Sequence, residues 1–290
     1  MIKRVSIPVI DFHLDHIFDC GQCFRWSRED DGSWTGVAFE RAVNMSLEDG
    51  ILTIEGADEK ELNDIWQKYL DLERDYGSIK NSLSQKDDVI GVAIGEGDGI
   101  RILKQDLWET VISFIISANN NIPRIKGCIE KLCQMYGEPL GKFRGEMRYA
   151  FPRSEVLAKL EVEDLAPVKL GYRAKYIVET AKRFAAHPEV YERLLQDDVS
   201  GAYATKVICK DKDTKLMGVG PKVANCIVLF GLGKMEGFPI DVWMKRVMNH
   251  LYGFDEEDVS AMASFAEEHF GEVAGIAQQY LFYYMRNKIQ

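Results

Sequence analysis

Apolar and polar positions alternate through the first 55 or so residues. The segments RVSIPVI, CFRWSR, SWTGVAFE, AVNMSLED and ILTIEG are short and rich in Val, Ile, Trp and Phe. Asp-Gly and Glu-Asp-Gly turn signals separate them, which predicts antiparallel strands. From Glu59 the period changes. EKELNDIWQKYLDL places Leu62, Ile65, Trp66, Tyr69 and Leu70 three and four apart, the spacing of a helix face. GEGDG, residues 95–99, reads as a joint, and beyond it almost everything carries a helical period. DLWETVISFIISA (106–118) is apolar nearly all round, the mark of a buried helix. Further helices are expected around 122–136, 154–160, 172–186, 188–196, 221–232, 242–251, 257–270 and 272–286. The expected fold class is α+β. An N-terminal antiparallel sheet with helices (1–97) precedes an all-α region (98–290), itself divided into subdomains 119–199 and 200–290.

At 290 residues, 46% hydrophobic and 28% charged, the chain has ample material for packed cores. No run approaches the roughly 18 apolar residues of a membrane span, and MIKRVSIPVIDFHLDH lacks a sustained apolar signal region. A membrane partner and secretion are therefore not expected. Six cysteines in a chain this long do not make a disulfide framework, so a reducing compartment is expected: cytoplasm, nucleoid or nucleus. The net charge of −10 argues against broad nucleic-acid binding through overall charge. Residues 119–187 nevertheless hold 13 Lys/Arg against 8 Asp/Glu, so a local patch with backbone amides could still grip DNA.

HLDHIFDCGQC gathers His13, His16, Cys20 and Cys23, all possible zinc ligands. Structural zinc sites usually join pairs from two separated knuckles, whereas these four are contiguous. Cys23 is expected to continue into the strand CFRW, which would turn its thiol away from the histidines. No metal is assigned. A redox Cys-x-x-Cys would need a following helix to stabilise a thiolate, and no cysteine follows Cys226 to complete an iron–sulfur set.

The most informative stretch is LMGVGPKVANC, 216–226. Gly218 and Gly220 permit positive φ and close approach of a ligand to the backbone. Pro221 suits the first helical position. The free amides of the turn and helix start, Val223 included, then form an anion site without side-chain charge. Lys222 is the first charge on this apolar helix, where the helix dipole and its neighbours both disfavour an ammonium. GFPID follows, with Asp241 where an N-cap belongs.

Together these features resemble the helix-hairpin-helix-GPD superfamily of DNA glycosylases, and in particular the 8-oxoguanine DNA glycosylase/AP lyase family. CGQCFRW, FIISANNNIPRI, LGYRAKY, GVGPKVANC, PIDVW and GIAQQYLF occur in the family's order along essentially the whole chain. The resemblance implies a monomer that acts on double-stranded DNA containing oxidised guanine and needs no cofactor. It implies Lys222 as the nucleophile that forms a Schiff base at the sugar, with Asp241 stabilising positive charge there. The flipped base would lie among Gly21, Cys226, Gln278 and Phe282, with the Gly21 carbonyl facing the N7 hydrogen that 8-oxoguanine has and guanine lacks. Asn119, with Asn120 beside it, would fill the vacated space. Arg124 and Arg173 would bond the stranded cytosine and Tyr172 would wedge the stack. Gly218, Gly220 and Val223 would hold phosphate. Two residues after the catalytic Asp, animal members carry a phosphate-contacting histidine; here it is Trp243.

Two other readings share the motifs. An alkylbase glycosylase of the same superfamily would use Asp241 to activate water and leave Lys222 idle. A non-catalytic helix-hairpin-helix module would lack one of the pair, and both are present.

Overall fold

The computed structural model describes residues 3–289. The five expected strands form one antiparallel sheet: β1 (Arg4–Pro8), β2 (Trp26–Arg28), β3 (Trp34–Ala38), β4 (Arg41–Glu48) and β5 (Ile51–Glu55), in the order β1-β5-β4-β3-β2. Two-residue hairpins set the register. Phe39 and Glu40 join β3 to β4, Asp49 and Gly50 join β4 to β5, and all four have positive φ, the backbone twist such tight turns demand. Gly36 lies opposite Trp26, and a Cβ on it would fall 2.3 Å from the indole, so only glycine lets the ring lie flat across the strand. Helix α1 (Leu14–Phe18) closes this core, with Phe18 stacked on Trp26 at 4.0 Å.

A helical run over 59–69 packs Leu62, Trp66 and Tyr69 against the sheet, and most of the α-helices that follow build a second, larger core. They are α2 (Tyr76–Ser84), α3 (Asp88–Glu96), α4 (Leu107–Ser117), α5 (Ile122–Tyr136), α6 (Arg173–Ala186), α7 (Pro188–Leu194), α8 (Gly201–Cys209), α9 (Pro221–Cys226), α10 (Val242–Tyr252), α11 (Val259–Phe270) and α12 (Ala274–Ile289). As its composition requires, α4 is buried nearly all round. Beyond α9 the helix continues in π form through Ile227–Gly231.

The structure departs from the sequence expectation at three places. Residues 139–149 form a two-stranded hairpin, Pro139–Phe143 with Glu146–Tyr149, inside the region expected to be all-α. Its turn, Arg144-Gly145, has positive φ at both positions without the Asn-Gly or Asp-Gly that signals such turns. Helix α8 falls in a stretch expected to be irregular; Ser200 caps it by accepting from the Tyr203 amide. The glycine joint at 95–99 is partly helical, and packing divides the chain earlier: Tyr76, Leu83, Ile90, Ile94, Ile100 and Ile102 all join the helical core.

Two buried side chains fasten the halves together. Gln22, fully buried, donates from Nε2 to the carbonyls of Ile17 (2.9 Å) and Arg101 (2.8 Å), and its Oε1 accepts from the Leu103 amide (2.8 Å). Arg101 donates to the carbonyls of Ile10, Asp11 and Asp71 and lies over the Tyr76 ring. Each satisfies several backbone groups from separate segments. Replacing Gln22 by Ala leaves the Arg101 carbonyl and Leu103 amide unpaired. Urea unfolding should show a loss of about 2–4 kcal/mol.

Candidate active site

The two residues expected to carry the chemistry stand at helix starts. Gly220 is the N-cap of α9 with no capping side chain, Pro221 occupies the first turn, and Lys222 follows. At the start of α10, Asp241 is the N-cap, its Oδ1 accepting from the Met244 amide at 2.8 Å. Both functional side chains are half-buried. Lys222 Nζ lies 5.5 Å from the centroid of the Phe114 ring, so the amine sits on an aromatic face provided by α4. Phe114 is held in turn by stacking on Phe230 and edge contact with Phe24.

Cys226, one turn beyond Lys222, reports on both groups. Burial pushes its thiol up to about 11. The Lys222 ammonium opposes that shift through its charge and a hydrogen bond, and the Asp241 carboxylate adds to it. The amine hydrogen-bonds the thiol, and the carboxylate is near enough for its charge to be felt there. Lys222 also lines a cleft of about 710 Å³ that runs past Pro221, Asn225, Phe238 and Ile240.

Gln278 lies within α12, 4% exposed, with Nε2 3.7 Å from Met244 Sδ and Oε1 accepting from Gln279. Because the Met244 amide donates to the Asp241 carboxylate, this contact ties the α12 wall to the carboxylate. Phe282, one turn on and half-buried, meets Gly21: a Cβ added to Gly21 would stand 3.6 Å from Phe282 Cε1. Gly21 has φ +84, a conformation that favours glycine, and its neighbour Gln22 anchors it. Cys23 is not in the strand, which begins only at Trp26; its thiol donates to the Phe18 carbonyl and that of Cys20 to the Ile17 carbonyl. The hydrogen bonds of the turn, rather than strand pairing, turn these thiols inward. Burial pushes Cys20 up to about 12 and Cys23 well above the ordinary thiol range. His13 instead stacks on His16 at 4.2 Å.

A second group of expected residues lies on the turn between α4 and α5. Asn119 is exposed with φ 50, Asn120 Nδ2 donates to the Ile116 carbonyl, and Asn121 caps α5. Tyr172 is 54% exposed, and exposed Arg124 donates to the Lys169 carbonyl. Arg173 departs from the picture of a freely exposed donor. It is 4% exposed, and its Nε, Nη1 and Nη2 donate to the carbonyls of Ala118, Leu170 and Asn119. A buried guanidinium must satisfy its donors, and here it does so by bracing the turn that presents Asn119.

The hairpin rests on α6. Met217 and Lys215 give their carbonyls to Thr180 and Arg183, and Gly218 (φ +81) packs so tightly that a Cβ would fall 2.7 Å from the Tyr176 ring. Gly220 does not have the positive φ expected of it. Its backbone is extended, and a Cβ there would meet nothing within 4 Å, leaving the surface around it open. The Val223 side chain is buried, so only its amide could serve a ligand. Sequence reasoning missed Phe114, Met244, Tyr176 and Gln22. The first three look like ordinary core or surface positions; a glutamine between two buried cysteines was the one readable signal.

A family model for the N-terminal domain of 8-oxoguanine DNA glycosylase matches residues 4–111, and one for HhH-GPD superfamily base excision DNA repair proteins matches residues 112–271. A probable N-glycosylase/DNA lyase of Methanothermobacter thermautotrophicus is 31% identical over 97% of this chain and 96% of its own length. Among solved structures, the 8-oxoguanine glycosylase/lyase of Clostridium acetobutylicum, in complex with duplex DNA containing cytosine opposite 8-oxoguanine, aligns with TM-score 0.92 and 38% identity over 100% of this chain and 99% of that one. MBOgg1, in complex with a low-affinity DNA ligand, aligns with TM-score 0.91 and 43% identity, again over 100% and 99%. The chain belongs to the 8-oxoguanine DNA glycosylase family of the helix-hairpin-helix-GPD superfamily.

Two outcomes follow from this geometry. At pH 8 only roughly one Cys226 in a thousand is a thiolate. Alkylation read by mass spectrometry should therefore be slow at Cys226 and rise about tenfold per pH unit, while half-buried Cys209 reacts first. Gly218→Ala should cost about 1–3 kcal/mol in urea unfolding, from backbone strain and displacement of Tyr176.

Proposed function

We propose that this protein excises 8-oxoguanine opposite cytosine from duplex DNA and then cleaves the strand as an AP lyase, with Lys222 as nucleophile. The observation that supports this reading is that Lys222 and Asp241 stand at the starts of α9 and α10, half-buried, and that both act on the Cys226 thiol one turn beyond Lys222. The neutral Lys222 amine attacks the sugar C1′ carbon. The bond to the base breaks, and its electron pair leaves with the base, which gains a proton as the amine gives one up. The sugar ring then opens to a Schiff base on Nζ. Asp241 stabilises the positive charge that develops at the sugar. Loss of a C2′ proton from the Schiff base expels the 3′ phosphate, which is β-elimination.

The extruded purine stacks on Phe282, with Gln278 on its edge and the Gly21 carbonyl on N7–H, an arrangement that attracts the lesion and repels the N7 acceptor of guanine. Asn119 and Tyr172 fill the gap and wedge the stack. Arg124 and the N–H of Arg173 Nη1 outside its Leu170 bond read the cytosine. The glycine hairpin holds phosphate through its amides. The work requires a compartment that holds chromosomal DNA.

Borohydride should trap a covalent complex between the wild-type protein and an 8-oxoguanine·cytosine duplex, and Lys222→Gln should abolish it. Asp241→Asn should keep the helix cap and the melting temperature, since Asn caps as well as Asp, yet slow base release a hundredfold or more, to an order of magnitude. Release of an alkylated base with no trapped complex would favour the water-activating alternative instead.

A further inference from the structure

Beyond the pair that does the chemistry, α10 carries a second set of groups along its outer face. Trp243 is 40% exposed, unusual for the largest apolar side chain, and Arg246 lies over its ring at 5.6 Å. Arg246 and His250, one turn apart and both exposed, open onto a pocket of about 540 Å³ shared with α12, which contributes Tyr284 and Lys288. Lys288 Nζ sits 4.3 Å from the Tyr284 ring centroid. Asn249 and Glu256 also line it; Asn249 is committed to the Phe254 carbonyl, which leaves Glu256 as the one carboxylate at the pocket among the described residues.

Among the described residues neither Arg246 nor Lys288 belongs to an ion pair, whereas neighbouring Lys245 pairs with Glu257. In a chain of net charge −10, two unpaired cations and an imidazole around one concavity are against the grain of the surface. Aromatic faces under both cations hold them in place without neutralising them, which lowers the entropy cost of presenting them to an anion. Arg246 stands five residues beyond Asp241, about 7.5 Å along the helix axis.

We propose that this pocket between α10 and α12 is a phosphate-binding site, and that its ligand is a backbone phosphodiester of the DNA strand held at Asp241. Trp243 acts there as the prop that aims Arg246. The identification of the ligand rests on the glycosylase reading above; the phosphate chemistry of the pocket does not.

The test compares the full-length protein with an Arg246→Ala, Lys288→Ala double variant. Both residues are on the surface, so thermal melting should match the wild type. Binding to an 8-oxoguanine·cytosine duplex should weaken on the order of tenfold at 0.1 M salt, and the slope of log affinity against log salt should fall by about one to two. Borohydride trapping at saturating duplex should be unchanged. Scanning the duplex with single neutral methylphosphonates should reveal one position that weakens the wild type and leaves the variant unaffected. In parallel, inorganic phosphate is titrated against the fluorescence of Trp243, isolated by difference from Trp243→Phe. Phosphate saturation in the wild type alone, with duplex affinity equal in both proteins, confirms the pocket and assigns it a free phosphate ligand in place of DNA. If neither the salt slope nor the phosphate titration distinguishes wild type from variant, the proposal is overturned. If the wild type fails to excise 8-oxoguanine, the glycosylase reading falls and the phosphate titration still decides the pocket.

Discussion

Two helix starts, α9 with an amine and α10 with a carboxylate, both act electrostatically on the Cys226 thiol, and much of the surrounding packing holds them in place. A helix start projects unpaired amides and a partial positive charge, which suits a carboxylate at the start of α10 and sets like charge beside the amine at the start of α9. The carboxylate settles the conflict by serving both sides. It caps its own helix through the Met244 amide and is close enough to the amine for both to act on the Cys226 thiol. Neither group could be shifted alone without leaving the other in an unfavourable field.

That constraint explains the packing around it. The apolar helix α4 supplies Phe114, whose face receives the amine, and the hairpin before α9 is clamped to α6 by Gly218 and the carbonyl acceptors of 215 and 217. Met244 passes the position of α10 on to Gln278, and α12 carries it to Phe282 and the Gly21 turn. The sheet domain enters through that turn, held at depth by Gln22, and through Phe24, whose ring edges Phe114. The helix starts, the contact of Gly21 with Phe282 and the sheet are thus one mechanically connected series.

The five strands and the buried helix were legible because their apolar spacing reflects a single local rule, burial of one face or of all faces. The hairpin at 139–149 was not, because its turn uses Arg144 where Asn or Asp would have signalled it. Helix α8 was hidden by a mixed polar sequence whose burial is decided by α9. At the site, Lys222, Asp241 and Gly21 could be read from motifs, since backbone conformation and capping restrict the residue types allowed. The bracing role of Arg173 could not, because a guanidinium directed at carbonyls in another segment has the same sequence signature as one directed at a ligand. Phe114 was unreadable for a related reason: in a helix buried on every side, no periodicity singles out the ring that meets the amine.

Gly21 and Phe282 face each other across 260 intervening positions. The slot proposed for the base therefore has one wall on the sheet domain and the other on α12, so any loosening of α12 would open that slot while leaving the hairpin before α9, which rests on α6, in place.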